Sequence, residues 1–161
     1  MCIKVGRKNI KLKYIDLGGT KLLYLHPHMF LGLPNLHHVS VHKNRSLQIP
    51  SDRNFINSHS LSHLDISHCN VTSVSVETFA NVSALEWLDL SYNNLSSVDI
   101  HILRALPKLS TLYLYVNLLQ CDRQLQEVWR WCQDRNTPTV YWGTVPECDT
   151  LSEVDGLWWG C

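Results

Sequence analysis

The stretch that decides the fold is Leu85-Glu86-Trp87-Leu88-Asp89-Leu90-Ser91-Tyr92-Asn93-Asn94-Leu95. Its apolar residues follow neither the period of a simple strand nor that of an amphipathic helix. Leu85, Leu88 and Leu90 lie on one side of a short extended segment, and Asn93 stands where that segment ends. A segment this short cannot bury its apolar row alone, so the pattern predicts similar segments stacked on either side.

The same pattern, L-x-x-L-x-L-x-x-N-x-L, occurs four more times along the chain. The copies begin at Leu12, Leu36, Leu61 and Leu109, which spaces the five starts by 24, 25, 24 and 24 residues. Each of the first four copies is followed by a bulky apolar residue in a return segment, at Phe30, Phe55, Phe79 and Leu103. The period predicts five repeats, each with one short strand and one inward-facing return segment, whose strands form a continuous parallel sheet.

The polar position near the end of each strand, which we call the buried slot, predicts a structural role. Asn44, Asn93 and Asn117 occupy it, with Thr20 and Cys69 in the two other repeats. An amide at this position can satisfy backbone groups that are left over as the strand turns. We therefore expect a ladder of buried asparagines, and a buried, unreactive thiol at Cys69.

Composition limits the class of partner. The 161 residues carry 14 basic and 14 acidic side chains, and a neutral chain has no general attraction to nucleic acid or anionic membrane. We expect no nucleic-acid partner and no membrane span, because the chain has no apolar run of about 18 residues. Four of the six cysteines, Cys121, Cys132, Cys148 and Cys161, lie near the C-terminus, which favours a disulfide framework in an oxidising compartment.

From Leu12 to Leu119 the chain resembles leucine-rich-repeat proteins of the extracellular 24-residue type, such as Toll-like, Slit-type and jawless-vertebrate variable receptors. The segment Asn117-Leu118-Leu119-Gln120-Cys121-Asp122 resembles the opening of their cysteine-rich C-terminal cap. The resemblance implies an α/β solenoid, a horseshoe with short parallel strands on the concave face and a disulfide-bonded cap. It pairs Cys121 with Cys148. Arg123 replaces the second cysteine of the family cap, so we pair Cys132 with Cys161.

The expected organisation has three parts. Residues 1–11 form a truncated lead-in, since they lack both the apolar core of a signal peptide and the family's N-terminal cap. Residues 12–120 form the repeats, and residues 121–161 form the cysteine-rich cap. In the cap, Leu125, Val128, Trp129 and Cys132 recur on one face of a predicted helix, which begins after Asp122 and ends before Pro138.

The resemblance implies that a ligand binds on the concave face. Strand alternation places there the residues between the leucines, which are rich in the aromatic types that anchor interfaces. The alternative is a solvated sheet with no particular partner. The candidate ligand-binding residues are Tyr14, His38, His63, Trp87, Asp65, Asp89, Tyr92, Tyr113 and Tyr115.

Other chemistry has less support. His38 and His63 share a column on adjacent strands, but without a close His-x-His pair or four ligands we expect no metal site and no cofactor. A surface that responds to pH is the stronger reading of these histidines. Phosphate-binding loops, nucleophile elbows and zinc-protease motifs are missing from the sequence, so we do not expect an enzyme.

Four sequons begin at Asn44, Asn70, Asn81 and Asn94. Asn44 lies in the buried slot, so we expect glycans at Asn70, Asn81 and Asn94. With the cap, they favour an extracellular protein, secreted or at the cell surface. The resemblance implies a receptor or adhesion ectodomain that binds a protein ligand, in innate immunity or development. The alternative is a secreted matrix or structural protein without a signalling role. The sequence does not indicate an oligomeric state.

Overall fold

Six short strands form one parallel sheet, ordered along the sheet as they are along the chain. The computed structural model describes residues 11–135 and 138–143. The strands are β1 (Tyr14–Asp16), β2 (His38–Ser40), β3 (His63–Asp65), β4 (Trp87–Asp89), β5 (Thr111–Tyr113) and β6 (Thr139–Tyr141). This sheet confirms the predicted solenoid of short parallel strands.

The register of the sheet repeats without slippage. Tyr14 pairs with His38, His38 with His63, and His63 with Trp87, and the central residues of the strands pair in the same way. The first five strands each begin two residues after the first leucine of a repeat. Equivalent residues of neighbouring repeats therefore lie side by side, which turns a column of the sequence pattern into a row of contacts on the sheet.

The core runs along the whole sheet. Leu85, Leu88, Leu90 and Leu95 are at most 1% exposed, as the opening stretch predicts. The return segments contain two 3-10 helices, Pro27–Phe30 and Glu77–Phe79, and the helix α1, Ile100–Ala105. Their bulky residues enter the core, and burial of each stabilises the fold by about 1.5–3 kcal/mol. These buried residues are Phe30, Phe55, Phe79 and Leu103.

The buried asparagines form the predicted ladder. Asn93 Oδ1 accepts hydrogen bonds from the backbone N–H groups of Cys69 (2.9 Å) and Val71 (3.0 Å), while its Nδ2 donates to the carbonyls of Ile66 (2.9 Å) and Leu90 (3.0 Å). The buried Asn44 and the half-buried Asn117 each make the equivalents of three of these four bonds, with one accepted N–H, that of Leu22 or Leu95, in place of two. One amide thus satisfies backbone groups of two consecutive repeats, which explains why the position is polar inside an apolar core.

The predicted C-terminal helix is confirmed as α2, Arg123–Arg135. Asp122 Oδ1 accepts the backbone N–H of Leu125 at 2.9 Å and so caps its first turn, and Leu125 and Val128 are fully buried. Cys132 is buried on the same side of the helix. Cys148 and Cys161 lie outside the described residues, so both predicted disulfides stay predictions.

Strand β6 follows α2 and extends the sheet beyond the five strands that the repeats supply. It pairs with β5 in parallel, Thr111 with Thr139 and Tyr113 with Tyr141. Within the described residues, no helix has the length and apolar character needed to cross a bilayer.

Candidate functional site

A continuous row of ring side chains crosses all six strands on the face of the sheet away from the core. We call it the ring row. The centroid separations along it are 4.4, 5.8, 6.1, 5.3 and 4.5 Å. Its members, in spatial order, are Tyr14, His38, His63, Trp87, Tyr113 and Tyr141.

The ring row follows from the register. Parallel strands about 4.8 Å apart hold equivalent side chains at a distance that suits stacked flat rings. Tyr14, His38, His63 and Trp87 occupy the same position in four successive strands. In β5 that position is Thr111, and the row continues two residues later on Tyr113, whose ring is tilted by 55° to Trp87.

A second row of rings lies where the strands end, and we call it the rim row: His68, Tyr92 and Tyr115. The rings of His68 and Tyr92 stack at 4.0 Å with an angle of 11°, and Tyr92 meets Tyr115 edge to face at 5.3 Å. Tyr115 also contacts Tyr113 at 6.0 Å, which joins the two rows. His68 and Tyr92 have a positive φ of 56° and 53°, a turn geometry that recurs in successive repeats.

The carboxylates of the sheet face bond to the protein's own backbone. An Oδ1 oxygen of Asp16, Asp65 and Asp89 accepts the N–H of the residue two positions on, at 2.7, 2.9 and 2.8 Å respectively. These bonds close the turn after each strand. Burial raises the pKa of Asp89, and its hydrogen bonds with Ser91 act in the opposite direction.

Asp65 has both oxygens engaged. Its Oδ2 accepts from Ser40 Oγ at 3.0 Å, and Ser40 Oγ lies 2.7 Å from His42 Nδ1. The same ring nitrogen lies 3.8 Å from carboxylate oxygens of both Asp16 and Asp65. Ser40 is 3% exposed, so its hydroxyl serves this network and is closed to an incoming substrate.

One histidine of the ring row, His38, has a lowered pKa and so stays uncharged to a lower pH than an ordinary histidine. Burial lowers the pKa of His38, and the neighbouring His63 lowers it further, while Asp65 and Asp16 act in the opposite direction. A neutral imidazole stacks on its neighbours without the desolvation cost of a charge. In the part of the chain that the structure describes, no group of three or more His, Cys, Asp or Glu residues is arranged to hold a metal ion.

The structure separates the candidate residues into three groups. Tyr14, His38, His63, Trp87 and Tyr113 come together in the ring row, and Tyr92 and Tyr115 belong to the rim row. Asp65 and Asp89 bind the backbone at the strand ends.

Sequence reasoning missed Tyr141, which lies on β6 and stacks on Tyr113 at 4.5 Å with an angle of 7°. It is 46% exposed and extends the ring row by one member. The signal that could have found it is the run Thr139-Val140-Tyr141, whose β-branched and aromatic residues favour a strand.

Comparison with known proteins supports the fold. The family model described as leucine rich repeat matches residues 10–71 and 59–119. Solved structures of 76 chains match this one, among them the crystal structure of a TLR13–ssRNA13 complex. That likeness has a TM-score of 0.67 and 24% sequence identity, and covers 81% of this chain but only 19% of the other. No curated protein sequence matches the chain.

The expectation that nucleic acid is excluded is wrong. The TLR13 structure, which shares this fold, is of a complex with single-stranded RNA. The balanced charge count does not exclude that ligand class, because net charge sums every surface of a chain and says nothing of one face. Base stacking on rings also contributes to such binding without any basic excess.

Two overlapping matches to the repeat model cover residues 10–119, well over half of the sequence. This chain belongs to the leucine-rich-repeat family.

Proposed function

We propose that the chain is an extracellular recognition module that binds a protein ligand through the ring row. The observation that carries this proposal is the unbroken contact of six rings across six strands. A solvated sheet with no partner has no need of such a surface, on which Tyr14 and Tyr141 are 53% and 46% exposed.

The physical properties of the row suit a protein interface. Aromatic side chains supply large contact areas with few rotatable bonds, and stacked neighbours restrict those bonds before a ligand arrives. The ring row is flanked by the acids Asp16 and Asp65 and by His42. These polar groups suit the rim of an interface, where they would orient a partner.

The proposed setting is a receptor or adhesion ectodomain, in innate immunity or development. Its division into a lead-in (1–11), repeats (12–120) and a cysteine-rich cap (121–161) is part of the proposal, as are the Cys121–Cys148 and Cys132–Cys161 disulfides. Exposed sequon asparagines at Asn70, Asn81 and Asn94 support an extracellular or endosomal location. A secreted matrix protein with the same surface is the alternative. We propose no catalytic activity.

A second candidate ligand is single-stranded nucleic acid. The ring row favours it, because bases stack on aromatic rings whatever their sequence. The carboxylates beside the row oppose it at neutral pH, since they repel phosphates and are not matched by a basic excess. A protein ligand therefore ranks first.

The experiment is a binding screen with a matched variant. Purified wild-type chain and Tyr113→Ala are tested against individually displayed extracellular proteins and against a labelled mixed-sequence single-stranded RNA at pH 7.5 and 5.5. Tyr113 is chosen because its ring contacts Trp87, Tyr115 and Tyr141.

We expect a protein hit that Tyr113→Ala loses while it keeps the wild-type circular dichroism spectrum. Binding of RNA alone, lost in the variant, would replace the protein by the second candidate. A hit that the variant retains at full affinity would contradict the ring row as the contact surface. Turnover of any substrate by the purified chain would overturn the absence of catalysis.

A further inference from the structure

A groove lies along the rim of the sheet, beside the rim row and outside the ring row. Its volume is about 320 Å³, within the range of roughly 300–1,000 Å³ of small-molecule sites. Its lining combines ring, amide, guanidinium and apolar groups: Arg45, His68, Asn70, Tyr92, Asn94 and Val116.

Two of the lining residues are sequon asparagines. Asn70 and Asn94 follow the buried slot in successive repeats, and both are exposed. Among the described residues, neither side chain has a hydrogen-bond partner. The sequon residue Asn81 differs, because its Nδ2 donates to Oδ1 of the buried Asn57 and it does not line the groove.

An aromatic ring stands two residues before each of these asparagines. Tyr92 precedes Asn94 and is 43% exposed, and His68 precedes Asn70. The two rings stack at 4.0 Å and present one surface to the groove. Positive φ angles of 56° and 53° at His68 and Tyr92 hold the backbone in the turn from which the rings project.

We propose that this groove is the seat of the chain's own N-glycan, with the first N-acetylglucosamine on Asn94 packed against the Tyr92 ring. The C–H face of a pyranose sugar is apolar and packs on aromatic rings, while its hydroxyl and acetamido groups find polar partners. Arg45 and Asn70 supply such partners at the groove. His68 offers the corresponding ring for a glycan on Asn70.

The proposal assigns Tyr92 to the glycan, whereas the sequence pattern groups it with the ligand-binding residues. The glycan would cover the exposed ring and apolar side chains of the rim and leave the ring row open to a partner. Natural occupancy rests on the proposed extracellular function. The experiment below is independent of it, because a leader peptide is supplied and no ligand is used.

The test isolates the first sugar. The chain is secreted from cultured cells that add high-mannose glycans, in a background with Thr72→Ala and Ser83→Ala. These changes remove the sequons of Asn70 and Asn81 and keep the Asn70 side chain in the groove, so that of the three exposed sequons only that of Asn94 remains. One sample is trimmed to a single N-acetylglucosamine with an endoglycosidase. The other is stripped completely with an amidase, which leaves aspartate at position 94; the same conversion occurs in every variant compared, so it does not account for a difference that depends on Tyr92. The melting temperatures of the two samples are then compared. The same comparison is repeated in chains that also carry Tyr92→Ala or Tyr14→Ala.

We expect loss of the single sugar to lower the melting temperature by about 2–4 °C, a shift typical of one contact in a chain of this size. Tyr92→Ala should abolish that difference, and Tyr14→Ala, which removes a tyrosine of the ring row that is 53% exposed against 43% for Tyr92, should preserve it. The proposal is overturned if Asn94 is not glycosylated, if Tyr92→Ala keeps the full difference, or if a background with only the Asn81 glycan shows the same shift.

Discussion

Replacing Asn93 with alanine tests the buried ladder that organises the repeats. The change leaves the backbone N–H groups of Cys69 and Val71 without the oxygen that accepts both. It also removes the donor to the Ile66 carbonyl. The apolar core offers no substitute, because Asn93 is 6% exposed.

The magnitude follows from the two orphaned donors. A buried polar group without a partner costs about 1–3 kcal/mol, so two cost about 2–6 kcal/mol. Water that reaches the rim offsets part of this cost, so we expect the free energy of unfolding to fall by about 3 kcal/mol. In a chain of this size that loss lowers the melting temperature by about 6–12 °C.

The assay is urea unfolding of unglycosylated bacterial protein, followed by tryptophan fluorescence. The matched control is Asn94→Ala, one residue away, where the exposed side chain makes no hydrogen bond among the described residues. We expect that control to lie within about 0.5 kcal/mol of the wild type. Equal effects of the two substitutions, or an Asn93→Ala variant as stable as the wild type, would refute the reasoning.

Three further predictions concern titratable groups. The unfolded chain protonates His38 before the folded chain does, so stability should fall as pH drops below about 6.5 towards the lowered folded pKa, and His38→Gln should remove that slope in urea titrations. The folded pKa of Asp89 is raised, so the wild type should lose stability as pH rises through that pKa. The free energy of unfolding of Asp89→Asn, relative to that of the wild type, should therefore increase from pH 3 to pH 7; a relative decrease would contradict burial as the cause. Burial raises the pKa of Cys69 to about 11, so iodoacetamide at pH 8 should label it only at the rate of unfolding; rapid labelling in peptide mass spectrometry would contradict this.

Most of the fold could be predicted because the repeat constrains every level at once. Leu85, Leu88 and Leu90 must be buried together, and only neighbours at the same register can bury them. The slot residue could be predicted for a similar reason: Asn93 has to replace backbone partners that the turn removes. Strand β6 could not, since it lies outside the repeat pattern and only three residues carry the signal.

The candidate site could be predicted only in part. Alternation places Tyr14, His38, His63 and Trp87 on one face, but not the step from Trp87 to Tyr113, which depends on ring size and on the neighbouring strand. The pattern also cannot show that a carboxylate such as Asp65 turns back to its own backbone. Nor does net charge describe one face of a chain, so a balanced charge count cannot exclude a nucleic-acid ligand.

The most direct test of the ring row compares two variants with an identified ligand. Trp87 contacts both His63 and Tyr113 in the middle of the row, whereas Tyr24 is 47% exposed and belongs to neither row. Isothermal titration calorimetry should show that Trp87→Ala raises the dissociation constant about 30-fold, the effect of a hot-spot residue that contributes about 2 kcal/mol. Tyr24→Ala should leave the dissociation constant within about twofold of the wild type. If Trp87→Ala binds as the wild type does, or Tyr24→Ala loses as much affinity, the ring row is not the recognition surface.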